Sequence, residues 1–236
     1  MPRAQAWFLT GTDTEVGKTF AACALLHAAR AGGLSTLAMK PVAAGVDAAG
    51  RNEDVERLIA ASSVKAARAL VNPYCFDRPI APHLAATDEG RDIDAGAIVA
   101  AYRQLAQRAA FMLVEGAGGF RVPLGEDLDT ADLATRLGLP VILVVGLRLG
   151  CLNHALLTAE AIATRGLALA GWIANCIDPD MPKWHENVEA LRARLTAPLL
   201  GVLPWQPGHD AEAVAGCLTL PGHGPMDNAV NAGDRG

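Results

Sequence analysis

Several features that would assign a class at once are missing from this chain. No apolar run reaches membrane-spanning length; the longest, 140–146, suits a buried strand. There is no basic excess either. Net charge is −5 and the pI about 5.7, so neither nucleic acid nor a membrane surface is expected as a partner. Arg51, Arg57, Lys65 and Arg68 are scattered singly, as on a solvated face. The five cysteines (Cys23, Cys75, Cys151, Cys176 and Cys217) lie far apart without metal-ligand spacing, which fits reduced thiols in a cytoplasm. Residues 1–6 precede a strand too short for the core of a signal peptide, and no internal repeat is visible. Charged residues are scarce, at 19% against 51% hydrophobic, so material for a large core is available. A length of 236 residues fits one large α/β domain or two small ones.

Short apolar runs alternate with helical stretches. Strands are expected near 6–10, 35–41, 111–115, 140–146, 168–175 and 198–203. Helices are expected near 17–31, 53–61, 95–110, 130–137, 151–165 and 183–194, with Gly32-Gly33, Gly138 and Gly166 as C-caps. Nearly continuous apolar strands suit a parallel sheet covered on both faces, and βα alternation makes one doubly wound domain over 1–220. Such sheets bind ligands beyond the carboxyl ends of their strands, so motifs at different strand ends should meet in one crevice. Residues 71–86 are Pro-rich and read as a surface excursion; 221–236 are rich in Gly and polar residues and read as a disordered tail.

The motifs do sit at strand ends. Residues 11–19 read Gly-Thr-Asp-Thr-Glu-Val-Gly-Lys-Thr, between an apolar strand and an Ala/Leu-rich helix. In a phosphate-binding loop the backbone N–H groups cradle phosphate, the lysine reaches the outer phosphates, and the following Thr hydroxyl serves Mg²⁺. The usual pattern has four residues between its first glycine and Gly-Lys-Thr; here Gly11 and Gly17 are separated by five. Glu115 follows the third apolar run and precedes Gly116-Ala117-Gly118-Gly119, the position of an acidic group serving Mg²⁺. Lys40 ends the second strand and would neutralise charge in phosphoryl transfer, unless it is simply a solvated strand-end lysine. Asp54 reads equally as a helix-capping or first-turn acid and as a Mg²⁺ ligand. The helix start after Gly150 can bind a carboxylate or phosphate. His154 on that helix reads as structural rather than as a base. Asn175 and Pro204-Trp205 suit contacts to a nucleotide base, although Trp205 could equally serve core or interface packing.

The ordered set extends further, with Lys-Pro-Val at 40–42, Asn-Pro-Tyr at 72–74, Pro-His at 82–83, Val-Glu-Gly-Ala-Gly-Gly at 114–119, Gly-Cys-Leu-Asn-His-Ala at 150–155 and Pro-Trp at 204–205. Together these motifs resemble the dethiobiotin synthetase family over roughly 6–206, and the extended loop spacing is that family's own. The resemblance implies a fold of the P-loop-containing nucleoside triphosphate hydrolase type and a homodimer. It also implies an ATP- and Mg²⁺-dependent cyclo-ligase acting on 7,8-diaminopelargonic acid and CO₂. By the same resemblance, Lys18, Lys40, Thr14 and Glu15 are catalytic, and Thr19, Asp54 and Glu115 hold the metal. Nucleotide contacts fall on Glu15, Val16, Gly17, Lys18, Thr19, Phe20, Asp54, Glu115, Gly116, Ala117, Gly118, Asn175, Cys176, Pro204, Trp205 and Gln206. Substrate contacts fall on Lys40, Ala44, Leu149, Gly150, Cys151 and Asn153, the helix start coming from the second subunit. Ala44 stands where many members carry a Ser that touches substrate, which implies weaker substrate binding. Two other readings are a corrin-pathway amidoligase and a nucleotide-switched dimer of the septum-placement type. The first needs a glutamine-hydrolysing domain for which this length leaves no room. The second carries an early loop lysine where this chain has Asp13, and also a DNA- or membrane-binding patch that is not visible here.

Overall fold

The apolar runs form strands, and those at the centre of the sheet are buried on both faces. In the computed structural model, which describes residues 5–208 and 210–222, the order is β1 (Gln5–Gly11), α1 (Lys18–Ala31), β2 (Thr36–Met39), β3 (Val42–Ala44), α2 (Glu53–Ala61), α3 (Arg68–Val71), β4 (Tyr74–Phe76) and α4 (Pro82–Asp88). It continues with α5 (Ala95–Leu105), β5 (Phe111–Glu115), α6 (Thr130–Leu137), β6 (Val141–Leu147), α7 (Cys151–Thr164), β7 (Leu169–Cys176), α8 (Trp184–Arg192) and β8 (Leu199–Leu203), then a single 3₁₀ turn, Ala215–Cys217.

Six strands make one parallel sheet in the order β2-β5-β1-β6-β7-β8. Alternation along β1 divides its side chains between two layers. Trp7 and Leu9 pack with Phe20, Leu25 and Leu26 of α1 on one face. Phe8 packs with Phe76, Ile98, Leu105 and Leu133 on the other. A third cluster joins Leu143, Val145 and Trp172 to Val188 and Leu191 of α8. Each such large apolar side chain contributes about 1.5–3 kcal/mol on burial. Because all six strands run the same way, their carboxyl ends, at Gly11, Met39, Glu115, Leu147, Cys176 and Leu203, share one edge. Strand order reverses around β1, which opens the crevice beside it.

The reading of 71–86 as a surface excursion is corrected. β4 pairs in parallel with β3 as a separate two-stranded ribbon, and Phe76, Ala85 and Ala86 are buried against the Phe8 face. Pro82 occupies the start of α4, where its missing N–H is no loss. The helix expected to reach 110 ends at Leu105. Gly138 does cap α6 in the left-handed conformation. The expected disorder of 221–236 falls outside the described residues from 223 onward.

Candidate active site

Between β1 and α1 the chain turns through a strained loop. Glu15 and Gly17 both have positive φ, 58° and 82°. Gly17 is required twice over, because a Cβ there would lie 2.1 Å from Nδ2 of Asn175. That amide nitrogen donates to the Val16 carbonyl at 2.9 Å, clamping the loop to the end of β7. Gly146 of β6 lets Val16 approach; a Cβ would meet its side chain at 2.9 Å. α1 begins at Gly17 without a side-chain cap, which leaves its first N–H groups for an anion.

Four charged side chains converge behind this loop. Lys18 is buried and donates to the carbonyl of Asp13 at 2.9 Å. Burial lowers its pKa from the usual lysine value to about 8, with the nearby Lys40 charge acting the same way against the pull of Glu115. Lys40, just past β2, donates to Glu115 Oε1 at 2.8 Å and to Asp54 Oδ2. Burial works against its charge too, but the Glu115 and Asp54 carboxylates outweigh it and raise the pKa. Asp54 shows the mirror image: burial disfavours its charge, and the Lys40 ammonium more than offsets this and lowers its pKa. Thr19 Oγ1 donates to the same Glu115 oxygen at 2.7 Å. Two cations thus face two carboxylates.

Donor chemistry at this cluster fits Mg²⁺. Thr19, Asp54 and Glu115 offer only hard oxygen atoms, and the buried Oε2 of Glu115 has no hydrogen-bond partner. Among the described residues no group of three or more His, Cys, Asp or Glu side chains could hold a metal.

Two asparagines hold the cluster in place; Asn52 is not among the expected site residues, and Asn72 enters the sequence reading only as part of the Asn-Pro-Tyr motif. Buried Asn72 donates to the carbonyls of Lys40 at 2.7 Å and Tyr74 at 3.0 Å, which fixes the backbone that presents Lys40. Asn52 caps α2, accepting from Val55 N–H at 3.2 Å and donating to the Gly45 carbonyl at 2.7 Å. The cap of α2 is thus Asn52, and Asp54 is a first-turn residue free to face Lys40. The cap was legible as an Asn ahead of an acidic helix start; Asn72 left no signal beyond Asn-Pro.

The remaining expected residues distribute as follows. Gly116 packs against Phe8, where a Cβ would sit 3.0 Å from its ring, and Gly118 takes a positive φ beside Thr14. Ala117 lies between them on the same turn. A cavity of about 160 Å³ opens beside the loop, lined by Phe20, Asn175, Cys176, Pro204, Trp205 and Gln206 among others. Ile177 also lines it and was missed. Trp205 is 43% exposed there and not part of the core. Ala44 ends β3, half-buried. Thr14 and Glu15 are exposed at the loop crest. At the start of α7, Leu149 is 96% exposed and Asn153 is exposed, whereas Cys151 is buried and its N–H donates to the Arg148 carbonyl at 3.0 Å. Gly150 caps this helix in the left-handed conformation with no side-chain cap. Arg121 pairs with Asp129, the N-cap of α6, and Arg148 pairs with Asp13.

Comparison with known proteins agrees with this geometry. A family model described as an AAA domain matches residues 5–213. The ATP-dependent dethiobiotin synthetase BioD of Aromatoleum aromaticum is 61% identical over 225 residues, covering 94% of this chain and 100% of that protein. Its counterpart in Pseudomonas paraeruginosa is 53% identical over 219 residues, covering 91% and 96%. Among solved structures, the MinC:MinD cell division complex of Aquifex aeolicus aligns with a TM-score of 0.55 at 15% identity, covering 89% of this chain and 88% of that one. The septum site-determining protein MinD with Mg-ADP from Pyrococcus horikoshii gives 0.51 at 19% identity, covering 86% and 83%. At these identities the two structures establish the fold alone, a parallel α/β sheet of the P-loop type. The relatives of high identity go further: the chain belongs to the ATP-dependent dethiobiotin synthetase family.

Proposed function

We propose that this chain is an ATP-dependent cyclo-ligase that closes the ureido ring of dethiobiotin from 7,8-diaminopelargonic acid, CO₂ and ATP. One observation carries the reading: the uncapped phosphate loop and the Lys18, Lys40, Asp54 and Glu115 cluster meet at one sheet edge. One amine of the substrate attacks CO₂ and loses a proton, giving a carbamate. A carbamate oxygen then attacks the γ-phosphorus and ADP leaves. The second amine attacks the carbamoyl carbon, the ring closes and phosphate departs. Lys40, held charged by Glu115 and Asp54, stabilises the carbamate and the transferring phosphoryl group. Lys18 leaves the Asp13 carbonyl for the outer phosphates. Thr14 and Glu15 line the reacting groups from the loop crest. Mg²⁺, held by Thr19, Asp54 and Glu115, would neutralise phosphate charge when bound. The cavity beside Phe20, Asn175 and Trp205 suits the base, and the backbone of Gly116–Gly118 approaches the nucleotide.

In this reading residues 1–220 act as one ligase domain in a homodimer. The α7 start at Leu149, Gly150, Cys151 and Asn153 serves the carboxylate tail of the diamine bound in the partner subunit. The five free cysteines suit a reducing cytoplasm; among the described residues no helix is long and apolar enough to cross a membrane. The nucleotide-switch alternative has less support, because Asp13, at the position of that class's signature lysine, is bound to Arg148 of its own chain. Phosphate release with Mg·ATP and bicarbonate, with and without the diamine, tests the proposal. Diamine-dependent release with a product of dethiobiotin's mass is expected; release independent of the diamine would overturn it.

A further inference from the structure

Every acceptor of Asp13 is engaged. Its Oδ1 accepts from Thr14 N–H at 2.7 Å, its Oδ2 accepts from Arg148 Nη2 at 2.6 Å, and its carbonyl holds Lys18 Nζ at 2.9 Å. The residue therefore anchors the loop crest, the turn between β6 and α7, and the resting position of the phosphate lysine. Electrostatically its side chain is out of place. A carboxylate on a loop that receives a triphosphate repels the anion the loop must hold. Arg148 lies next to the end of β6 and supplies the charge that cancels it.

We propose that Arg148 is a positioning residue that acts through Asp13, neutralising the loop carboxylate and tying the loop crest to the start of α7. This rests on the phosphate-site reading above. Nucleotide affinity then depends on the pair. With Arg148 removed, an uncompensated carboxylate faces the phosphates; with Asp13 also made neutral, nothing is left to compensate.

A double-mutant cycle on the full chain tests this, with the Kd of Mg·ATP measured by calorimetry at low ionic strength. Arg148→Gln is expected to weaken binding about fivefold to tenfold in the wild-type background and less than about twofold in Asp13→Asn, whose remaining amide oxygen still accepts from Thr14. Arg148→Lys should restore most of the affinity, and kcat at saturating substrates should move far less than KM for ATP. Equal losses in both backgrounds would overturn the proposal, placing Arg148 directly on the nucleotide. So would an Arg148→Gln chain that binds as wild type does. Failure of the wild type itself to bind Mg·ATP would strike the phosphate-site reading first and this inference with it, a result distinguishable from either.

Discussion

Burial pulls the Lys18 ammonium down to a pKa of about 8, and its nearest acceptor is a neutral carbonyl, that of Asp13. The folded value lies below the ordinary lysine value of 10.5, so the protonated side chain is a cost to the nucleotide-free fold below pH 8. That cost is relieved as pH rises from about 8 to 10.5. Phosphate oxygens reverse the balance by favouring the ammonium, so nucleotide binding above pH 8 must take up a proton. Affinity for Mg·ATP is expected to fall as pH rises above 8, by at most about tenfold per pH unit. Calorimetry in buffers of different ionisation enthalpy measures the uptake directly, and Lys18→Gln should abolish it; an unchanged pH profile in that variant would assign the proton elsewhere. Lys40 lies in the opposite field and stays charged throughout this range. Lys40→Gln should lower kcat by at least about two orders of magnitude. It also leaves Glu115 buried without its cation, at a cost of about 3–5 kcal/mol. Turnover is therefore compared at a temperature where circular dichroism shows the variant folded. Near-normal turnover there would reduce Lys40 to a structural role.

The ridge from β2 to β3 depends on a side chain that belongs to neither strand. Asn72 satisfies two carbonyls, the buried one of Lys40 and the half-buried one of Tyr74. Asn72→Ala is expected to destabilise the chain by about 2–3 kcal/mol, read from the urea midpoint, and to lower kcat by displacing Lys40. A variant as stable as wild type would mean that the ridge holds without this contact. Elements of this kind mark the limit of what the sequence reveals. The six strands of the main sheet were legible because each is an apolar run, and the central ones, β5, β1 and β6, are buried on two faces. Strands β3 and β4 have three residues each and α3 has four, too short to display a period. Phe76 was hidden by the prolines around it. The loop residues were legible because their spacing is local. Asn175 and Arg148 find their partners 159 and 135 residues away, a distance at which spacing says nothing.

At the scale of the assembly, the exposed Leu149 just before α7 and the exposed Leu157 about two turns along it suit a contact with a second copy. If that start serves the partner's diamine, two inactive chains should complement one another. Lys40→Gln keeps a sound α7, and Asn153→Asp keeps a sound phosphate site while repelling the substrate carboxylate. Mixed and re-annealed in equal amounts, they should recover about a quarter of wild-type activity, since half the dimers are mixed and each holds one intact site. No recovery would place the whole site within one chain. The central position of β1 also matters before any dimer exists. Gln5 pairs with Phe111 and Phe8 with Val141, so β1 leaves the ribosome well before the strands it pairs with are made. Until then an apolar strand with two open edges is exposed to other nascent chains. The loop clamp on Val16 arrives later still, with Asn175, so a chain stalled before β7 lacks the side chain that braces its phosphate loop.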